Sequence, residues 1–156
     1  MHFANSPIGG SSVPTVHPPT SADQIAELQR RFNGYLEPSY REFLLSTDGM
    51  QGDSFTYLGC RDWTPGGRGK DAAAYLKVLE DADTAWDVGI PRGVALFPVA
   101  IDEFGRDGIF MLNLGSDVPY RFWRVGGGSS SFFVDFYEVL AYMADLTSLH
   151  PVETLD

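Results

Sequence analysis

Apolar residues at helical spacing predict two helices early in the chain. Ile25, Leu28 and Phe32 recur at intervals of three and four residues, after a capping-box pattern that begins at Ser21. A second helix is expected to begin at Pro38, because proline fits the first helical position, where its missing N–H is not needed. The two spacings predict an N-terminal pair of helices.

Two further helical patterns lie in the middle and near the end of the chain. Residues 71–87 have apolar positions at helical spacing, and periodicity leaves open whether they form one helix or two. Residues 133–146 carry an apolar stripe that includes Phe136 and Leu140, which predicts a closing helix.

Apolar runs between the helical patterns predict strands. They cover residues 55–58, 94–101, 109–114 and 118–125. Pro98 indicates an interruption or a sheet edge within the second run. The short connections between the last three runs favour an antiparallel meander, because a parallel crossover needs a dozen or more residues. The glycine-rich segments 64–69 and 126–131 are predicted to be loops.

These elements predict an α+β fold: a mainly antiparallel sheet flanked by an N-terminal helix pair, an inserted helix and a closing C-terminal helix. The chain of 156 residues has the length of about one domain. Residues 1–19 are rich in Ser, Pro and Gly and are predicted to be a flexible segment. The domain is expected to cover residues 20–150, followed by a C-terminal tail of 151–156.

The charge of the chain is one-sided, with 21 acidic against 11 basic residues and a net charge of −10. Such a surface repels nucleic-acid phosphates and anionic lipid headgroups, so neither nucleic acid nor membrane is predicted as a partner. It attracts basic proteins and accelerates encounter with them. The acidity would equally serve solubility alone.

The chain is expected to act in the cytoplasm. It has one cysteine, Cys60, which excludes an intrachain disulfide and fits a reducing compartment. Residues 1–7 lack the basic and apolar regions of a signal peptide. No apolar run reaches the roughly 20 residues that span a bilayer.

The sequence predicts no catalytic, cofactor-binding or metal-binding residues, and the chain is not expected to be an enzyme. His2, His17 and His150 all lie in the predicted terminal segments, so a Cys–His or Ser–His dyad would require a tail to fold back. Neither metal-ligand spacings nor phosphate-loop spacings are present. Asp102 and Asp107 would suit acid–base chemistry, yet nothing distinguishes them from ordinary loop charges.

Two clusters of acidic residues are the candidate partner-binding positions. One cluster lies in the inserted helical stretch, with an aromatic residue beside it, and the other follows the central strand. Loops that a rigid sheet positions often carry recognition, although a solvated charged face gives the same pattern. The candidate residues are Glu80, Asp81, Asp83, Trp86, Asp87, Asp102, Glu103 and Asp107.

An ordered set of segments resembles the SUKH superfamily, which contains fungal cell-wall-assembly regulators and many bacterial immunity proteins. The segments are Leu36–Leu44, with its Tyr-x-x-Phe-Leu pattern, Asp48 with Gly49, Phe97–Ala100, 109–114, 118–123 and 132–136. Glu37 separates the family's leucine and proline, and Asp48 stands where the family usually has Asn. The resemblance spans roughly residues 21–146, and residues 60–91 match nothing in it.

The resemblance implies a SUKH-like domain over residues 20–150 that binds a protein without catalysis or cofactors. Bacterial members neutralise a cognate toxin, often a nuclease or deaminase delivered between competing cells. It therefore implies an immunity protein whose partner is a cognate toxin domain of basic charge. The alternative is an intracellular regulatory or scaffold module like the fungal members, and a toxin-like reading frame beside the gene would discriminate the two.

Overall fold

The computed structural model describes residues 15–145 and 149–155 of the chain. This part forms an α+β fold around one antiparallel sheet, in which the seven strands follow one another in chain order. The strands are β1 (Thr15–Val16), β2 (Met50–Gln51), β3 (Phe55–Tyr57), β4 (Leu96–Asp102), β5 (Asp107–Leu112), β6 (Phe122–Gly126) and β7 (Ser129–Phe133).

Five α-helices surround the sheet in the described part of the chain, in agreement with the predicted helix pair, helical insertion and closing helix. They are α1 (Ala22–Arg31), α2 (Pro38–Ser46), α3 (Gly69–Asp81), α4 (Thr84–Asp87) and α5 (Phe136–Met143). A 3₁₀ turn at Cys60–Trp63 lies between β3 and α3. None of the helices among the described residues is long and apolar enough to cross a membrane.

The starts of α1 and α2 follow from side chains that accept hydrogen bonds from free backbone N–H groups. The predicted capping box of α1 is confirmed: Ser21 Oγ accepts from Gln24 N at 3.2 Å, and Ser21 N donates to Gln24 Oε1 at 3.1 Å. The buried Glu37 carboxylate caps α2 by accepting from Ser39 N at 2.6 Å. Ser39 Oγ then accepts from Phe136 N at 2.8 Å, which ties the first turns of α2 and α5 together.

The sheet separates two apolar layers, and successive residues of its strands face opposite layers. In β5, Ile109 and Met111 pack on the side of α1, α2 and α5, whereas Phe110 and Leu112 pack on the side of α3. Because both faces are covered, the strands read as continuous apolar runs.

The predicted interruption at Pro98 is confirmed as an irregularity in β4. The register between β4 and β5 shifts between Pro98 and Ala100. Val99 and Ala100 therefore both pack in the layer of α1, α2 and α5, although they are consecutive. Such a bulge accommodates a residue that has no N–H to donate within a central strand.

The prediction that residues 126–131 form a loop is wrong. Ser129–Phe133 is strand β7, which pairs with β6. Only Gly127 and Gly128 connect the two strands, with φ of 60° and 79°. Two residues with positive φ form the tight turn that matches the twist of a hairpin, which explains the glycines. The strand was missed because serine is a weak strand former.

The structure answers one question that periodicity left open and corrects one helix boundary. The stretch 71–87 is two helices, which are separated at Asp83, where φ is 55°. The closing helix begins at Phe136 rather than at residue 133, because the Asp135 carboxylate accepts from Glu138 N at 2.8 Å and sets the start. Phe133 belongs to β7.

Both terminal segments contribute backbone hydrogen bonds to the domain. Within the predicted flexible segment 1–19, residues 1–14 lie outside the described residues, whereas Thr15–Val16 pairs with β2. In the predicted tail, the Val152 carbonyl accepts from Phe132 N at 3.0 Å, and Leu155 N donates to the Val88 carbonyl at 2.8 Å. The C-terminal residues are thus bonded to β7 and to the end of α4.

A buried carboxylate, that of Asp48, joins three separate segments. Its Oδ1 accepts from the Thr20 hydroxyl at 2.8 Å and from Cys60 N at 2.6 Å. Its Oδ2 accepts from Arg61 N at 3.3 Å. Asp48 N donates to the Pro18 carbonyl at 2.9 Å. The carboxylate thereby fixes the start of α1, the 3₁₀ turn and the segment that leads in from β1.

We expect Asp48→Ala to lower the free energy of unfolding by about 3 kcal/mol, because it leaves buried donors without an acceptor. Asp48→Asn keeps one acceptor oxygen for Thr20 and Cys60 and should cost about 1 kcal/mol. Urea unfolding followed by tryptophan fluorescence measures both losses. Asp117→Ala, at an exposed loop position, is the control, and a loss in Asp48→Ala no larger than in this control would contradict the role of Asp48.

Candidate functional site

The predicted partner-binding residues are divided between two parts of the structure: the end of α3 with α4, and the end of the sheet where β4 turns into β5. Within β5, Asp107 shares a face with Ile109 and Met111, on the side of α1, α2 and α5. Glu80 and Asp81 end α3, Trp86 and Asp87 lie on α4, and Asp102 ends β4. We call residues 68–87 and 102–107, which carry these positions, the acidic face. It has eight Asp or Glu against four Lys or Arg. The structure thus brings α3 beside the β4–β5 turn, where the helix and the turn line one groove.

Several acids of this face are neutralised by cations of the same chain. Asp81 Oδ1 lies 2.7 Å from Lys77 Nζ. Asp83 Oδ1 lies 2.8 Å from Arg92 Nη1, and its second oxygen lies 3.3 Å from Nη2 of the same guanidinium. Exposed pairs of this kind contribute little to stability, but they reduce the charge available to a partner. Asp81 and Asp83 are therefore weaker candidates than the sequence indicated.

Trp86 is half exposed and lies beside this ion pair. The guanidinium carbon of Arg92 is 4.6 Å from the centroid of the Trp86 ring, within cation–π range. Asp83 and Trp86 both line a depression of about 190 Å³, with Ile90 as part of its floor. A partner that contacted the occupied ring face would first have to displace Arg92.

Asp102 holds the turn between β4 and β5 in a fixed shape. Its Oδ1 accepts from Arg106 N at 2.8 Å and from Asp107 N at 3.1 Å. Gly105 N donates to the Asp102 carbonyl at 3.2 Å, and Glu103 N donates to the Ser54 carbonyl at 2.9 Å. Asp102 is thus a structural residue of the turn, and the residues that it presents to solvent are rigidly placed.

Asp107 forms a half-buried ion pair across the sheet. Its Oδ2 lies 2.8 Å from Arg124 Nη2, while Asp107 Oδ1 and Arg124 Nε have no hydrogen-bond partner among the described residues. Burial raises the pKa of the Asp107 carboxyl above its ordinary value of 3.8, against the opposing attraction of Arg124. The negative charge of Asp102 raises this pKa further.

Helix α3 is fastened to the sheet beside that pair. The Tyr75 hydroxyl donates to the Val125 carbonyl at 3.0 Å, and burial, followed by the charges of Asp107 and Asp102, raises the pKa of Tyr75 to about 12. Arg68 Nη2 donates to the Asp102 carbonyl at 2.8 Å. Helix, sheet and turn therefore form one rigid support for the acidic face.

Two exposed apolar residues of the acidic face are not among the residues predicted from the sequence. Phe104, in the β4–β5 turn, is 66% exposed, and Val78, on α3, is 61% exposed. Both line a groove of about 330 Å³ between α3 and the turn, which we call the Phe104 groove. An aromatic residue in the middle of a charged turn is the signal that would have identified it.

Three predicted acids are free to meet a partner. Glu80, Asp87 and Glu103 are exposed, and their carboxylates form no hydrogen bond or ion pair with residues 15–145 or 149–155. The hydrogen bond to Asp81 raises the pKa of Lys77, and the charge of Glu80 contributes further to this raised pKa. Glu103 lines the Phe104 groove, and Glu80 lines the depression beside Trp86. These residues, together with the exposed apolar side chains, are the strongest candidates for contact.

The chemistry of Cys60 does not support thiol catalysis. Its Sγ donates to the Gln24 carbonyl at 3.3 Å. Burial, with the nearby charge of Asp48, raises the pKa of the thiol to about 11, so it stays protonated at neutral pH. The segment that carries His17 does fold back over the domain. The Nδ1 atom of His17 lies 2.6 Å from Arg61 Nη1, so this ring nitrogen is engaged by Arg61. Within residues 15–145 and 149–155, no three side chains form a group suited to a metal ion.

Two comparisons with known proteins give no match. A scan against protein-family models finds none that matches the chain, and a search of curated proteins finds none either. What the chain binds must therefore be inferred from the charges and apolar side chains on its own surface.

We expect alkylation of Cys60 by iodoacetamide to be slow at neutral pH in the folded protein. With a pKa of about 11 against the ordinary 9.0, the thiolate fraction at neutral pH is about 100-fold smaller than in the unfolded chain. The rate in the native protein should still be rising at pH 10, whereas the rate in urea should level off. A plateau below pH 8 in the native protein would contradict the raised pKa.

The pKa of Asp107 gives a second prediction. Because it is raised in the folded state, the folded protein holds this proton more tightly, and stability falls as the pH rises from 3.8 through the folded pKa. Asp107→Asn removes this titrating group. The free energy of unfolding of the wild type minus that of the variant should therefore decrease as the pH rises. Urea unfolding of both proteins between pH 3.5 and 7 measures this difference, and an increase with pH would contradict it.

Proposed function

We propose that the chain is a SUKH-like immunity protein that acts in the cytoplasm by binding and neutralising a cognate toxin domain. The observation that carries the proposal is the acidic face, on which free carboxylates stand beside exposed apolar side chains on a rigid support. Glu80 and Glu103 supply charge, while Phe104 and Val78 supply apolar area. Aromatic anchors within a charged rim are typical of protein interfaces.

The order of the elements supports the proposed family. The Leu36–Leu44 segment lies on α2 and its cap, and Asp48 with Gly49 follows directly. The segments at 97–100 and 109–114 lie on or at the ends of β4 and β5. Glu37, the insertion between the family's leucine and proline, serves as the N-cap of α2 and so is compatible with the same helix.

The proposed mechanism needs no chemical step. A negative face steers a basic partner into encounter and raises the association rate, most strongly at low salt. Burial of apolar anchors then slows dissociation, since affinity among related complexes is governed mainly by the off-rate. The bound domain would cover the substrate groove of the toxin or hold the toxin in an inactive shape. The protonated Cys60 thiol is consistent with a role in binding alone.

A regulatory or scaffold module is the second candidate, because the same face would serve any basic protein. The discriminating experiment identifies the reading frames beside the gene, expresses any toxin-like domain found there, and measures binding and inhibition. One-to-one binding that abolishes the toxin's activity supports immunity. Binding to housekeeping or signalling proteins, with no inhibited toxin, favours the regulatory module.

We expect reversal of Glu80 and Glu103 to Lys to slow association with that toxin domain by roughly tenfold or more at low salt, because both carboxylates are free and exposed. The difference should shrink at high salt, where charges are screened. Stopped-flow kinetics measures the rate.

The matched control for this experiment reverses Asp23 and Asp117, two exposed acids outside the acidic face, so that the change in net charge is identical. Equal slowing in both pairs would show that only net charge matters and would contradict the assignment of the acidic face. Reversal of Asp102 is unsuitable as a test, because its carboxylate holds the β4–β5 turn.

A further inference from the structure

The Phe104 groove combines three features that a docking site for a single side chain requires. It is open to solvent, with a volume of about 330 Å³. Its two sides come from different elements, Ala74 and Val78 from α3 and Glu103 to Gly105 from the turn. The Tyr75 hydroxyl fastens α3 to β6, and Arg68 bonds the start of α3 to the Asp102 carbonyl, where the turn begins. An incoming side chain would therefore bind to a preformed groove, and little conformational entropy of the groove would be lost on binding.

Phe104 is held in solvent by a turn that has no freedom to bury it. The Asp102 carboxylate accepts two N–H groups of the turn, and the backbone of Glu103 is bonded to Ser54. Arg106 covers part of the ring, with its guanidinium carbon 5.3 Å from the ring centroid. A largely exposed phenylalanine in a rigid turn is unfavourable in water, and burial against a partner would recover that apolar area.

The charges around the groove favour a positively charged group of a binding partner. Glu103 has a free carboxylate at the rim. Two cations, Arg68 and Arg106, lie beside the groove. Arg68 is already engaged, because its Nε lies 2.8 Å from Asp71 Oδ2 and its Nη2 bonds to the Asp102 carbonyl, and the Arg106 guanidinium lies over the Phe104 ring. The acidic face as a whole carries twice as many acids as bases. A lysine or arginine next to an apolar side chain would thus find complementary charge here.

We propose that the Phe104 groove is the anchor site of the chain, and that it takes an apolar side chain flanked by lysine or arginine from a basic protein. The proposal deepens the proposed function and rests on it for the nature of the partner. A second copy of the chain is a poor occupant, because two molecules of net charge −10 repel. The depression beside Trp86 is a poorer anchor. A guanidinium lies over the aromatic ring at both sites, but Arg92 also pairs with Asp83, whereas Glu103 at the Phe104 groove has no ion pair among the described residues.

The probe is a synthetic ten-residue peptide with one leucine among lysines and arginines, titrated into the full ¹⁵N-labelled chain. A matched peptide carries glycine in place of leucine and has the same charge. We expect saturable amide shifts from the leucine peptide that concentrate at residues 68–78 and 102–107. The double variant Val78→Ser, Phe104→Ser should weaken leucine-peptide binding at least roughly tenfold, the usual loss when an anchor is truncated. The glycine peptide should bind both proteins equally.

The control variant, Val16→Ser with Leu45→Ser, removes two other exposed apolar side chains away from the groove. Because all four residues are exposed, both variants should retain the wild-type fold, which the amide spectrum verifies. Absence of binding, shifts centred on Trp86 or scattered over the chain, or equal losses in the two variants would each overturn the proposal.

The same variants separate this proposal from the proposed function. A neighbour-encoded toxin that binds wild type and Val78→Ser, Phe104→Ser with equal affinity would overturn the groove and leave the immunity function standing. Peptide docking in the groove, with no toxin bound or inhibited, would overturn the immunity function and leave the groove standing.

Discussion

The buried carboxylate of Asp48 is the contact on which the rest of the structure depends. It accepts three hydrogen bonds, from the Thr20 hydroxyl and from the N–H groups of Cys60 and Arg61, and so joins segments far apart in the chain. Gly59 passes so close that an added Cβ would lie 2.3 Å from the Asp48 carbonyl carbon. A buried charge is costly unless it is well bonded, so this cluster permits one arrangement of α1, the 3₁₀ turn and the chain between them.

The packing around Asp48 continues through the 3₁₀ turn to α3, which carries part of the acidic face. The 3₁₀ turn ends at Trp63, and Gly69 at the start of α3 packs so tightly that an added Cβ would lie 2.5 Å from the Trp63 ring. From this point α3 crosses the sheet and is held at Tyr75. The position of Val78 opposite Phe104 is therefore set by packing that begins at the buried carboxylate, although neither residue touches it.

The sequence predicted the elements whose signals are local. The capping box at Ser21, the helix start at Pro38 and the irregularity at Pro98 all follow from properties of single residues or short spacings. The prediction failed where pairing decides the outcome. The serines of β7 form a strand because β6 lies beside them, and Thr15–Val16 is a strand because β2 completes it. Such partners come from elsewhere in the chain and leave no periodicity in the segment itself.

The candidate site was predictable as a region but not residue by residue. Acidic clusters in the sequence indicated where exposed carboxylates lie, and Glu80, Asp87 and Glu103 are exposed in the structure. The roles of the individual acids did not follow from the sequence, since Asp83 and Arg92 are nine residues apart and form an ion pair only after the chain between them folds. Asp102 is likewise indistinguishable from Glu103 until the turn closes around its carboxylate.

The difference between acids that hold the fold and acids without fixed partners affects binding specificity. Acids that serve the fold, such as Asp102 and Asp107, are held by fixed partners and cannot change without loss of stability. Glu80 and Glu103 have no such partners, and Phe104 and Val78 contribute little to the core. The residues proposed to contact the partner can thus vary while the supporting turn and helix stay constant. A rigid frame with independent surface positions allows a domain to match different partners without altering its fold.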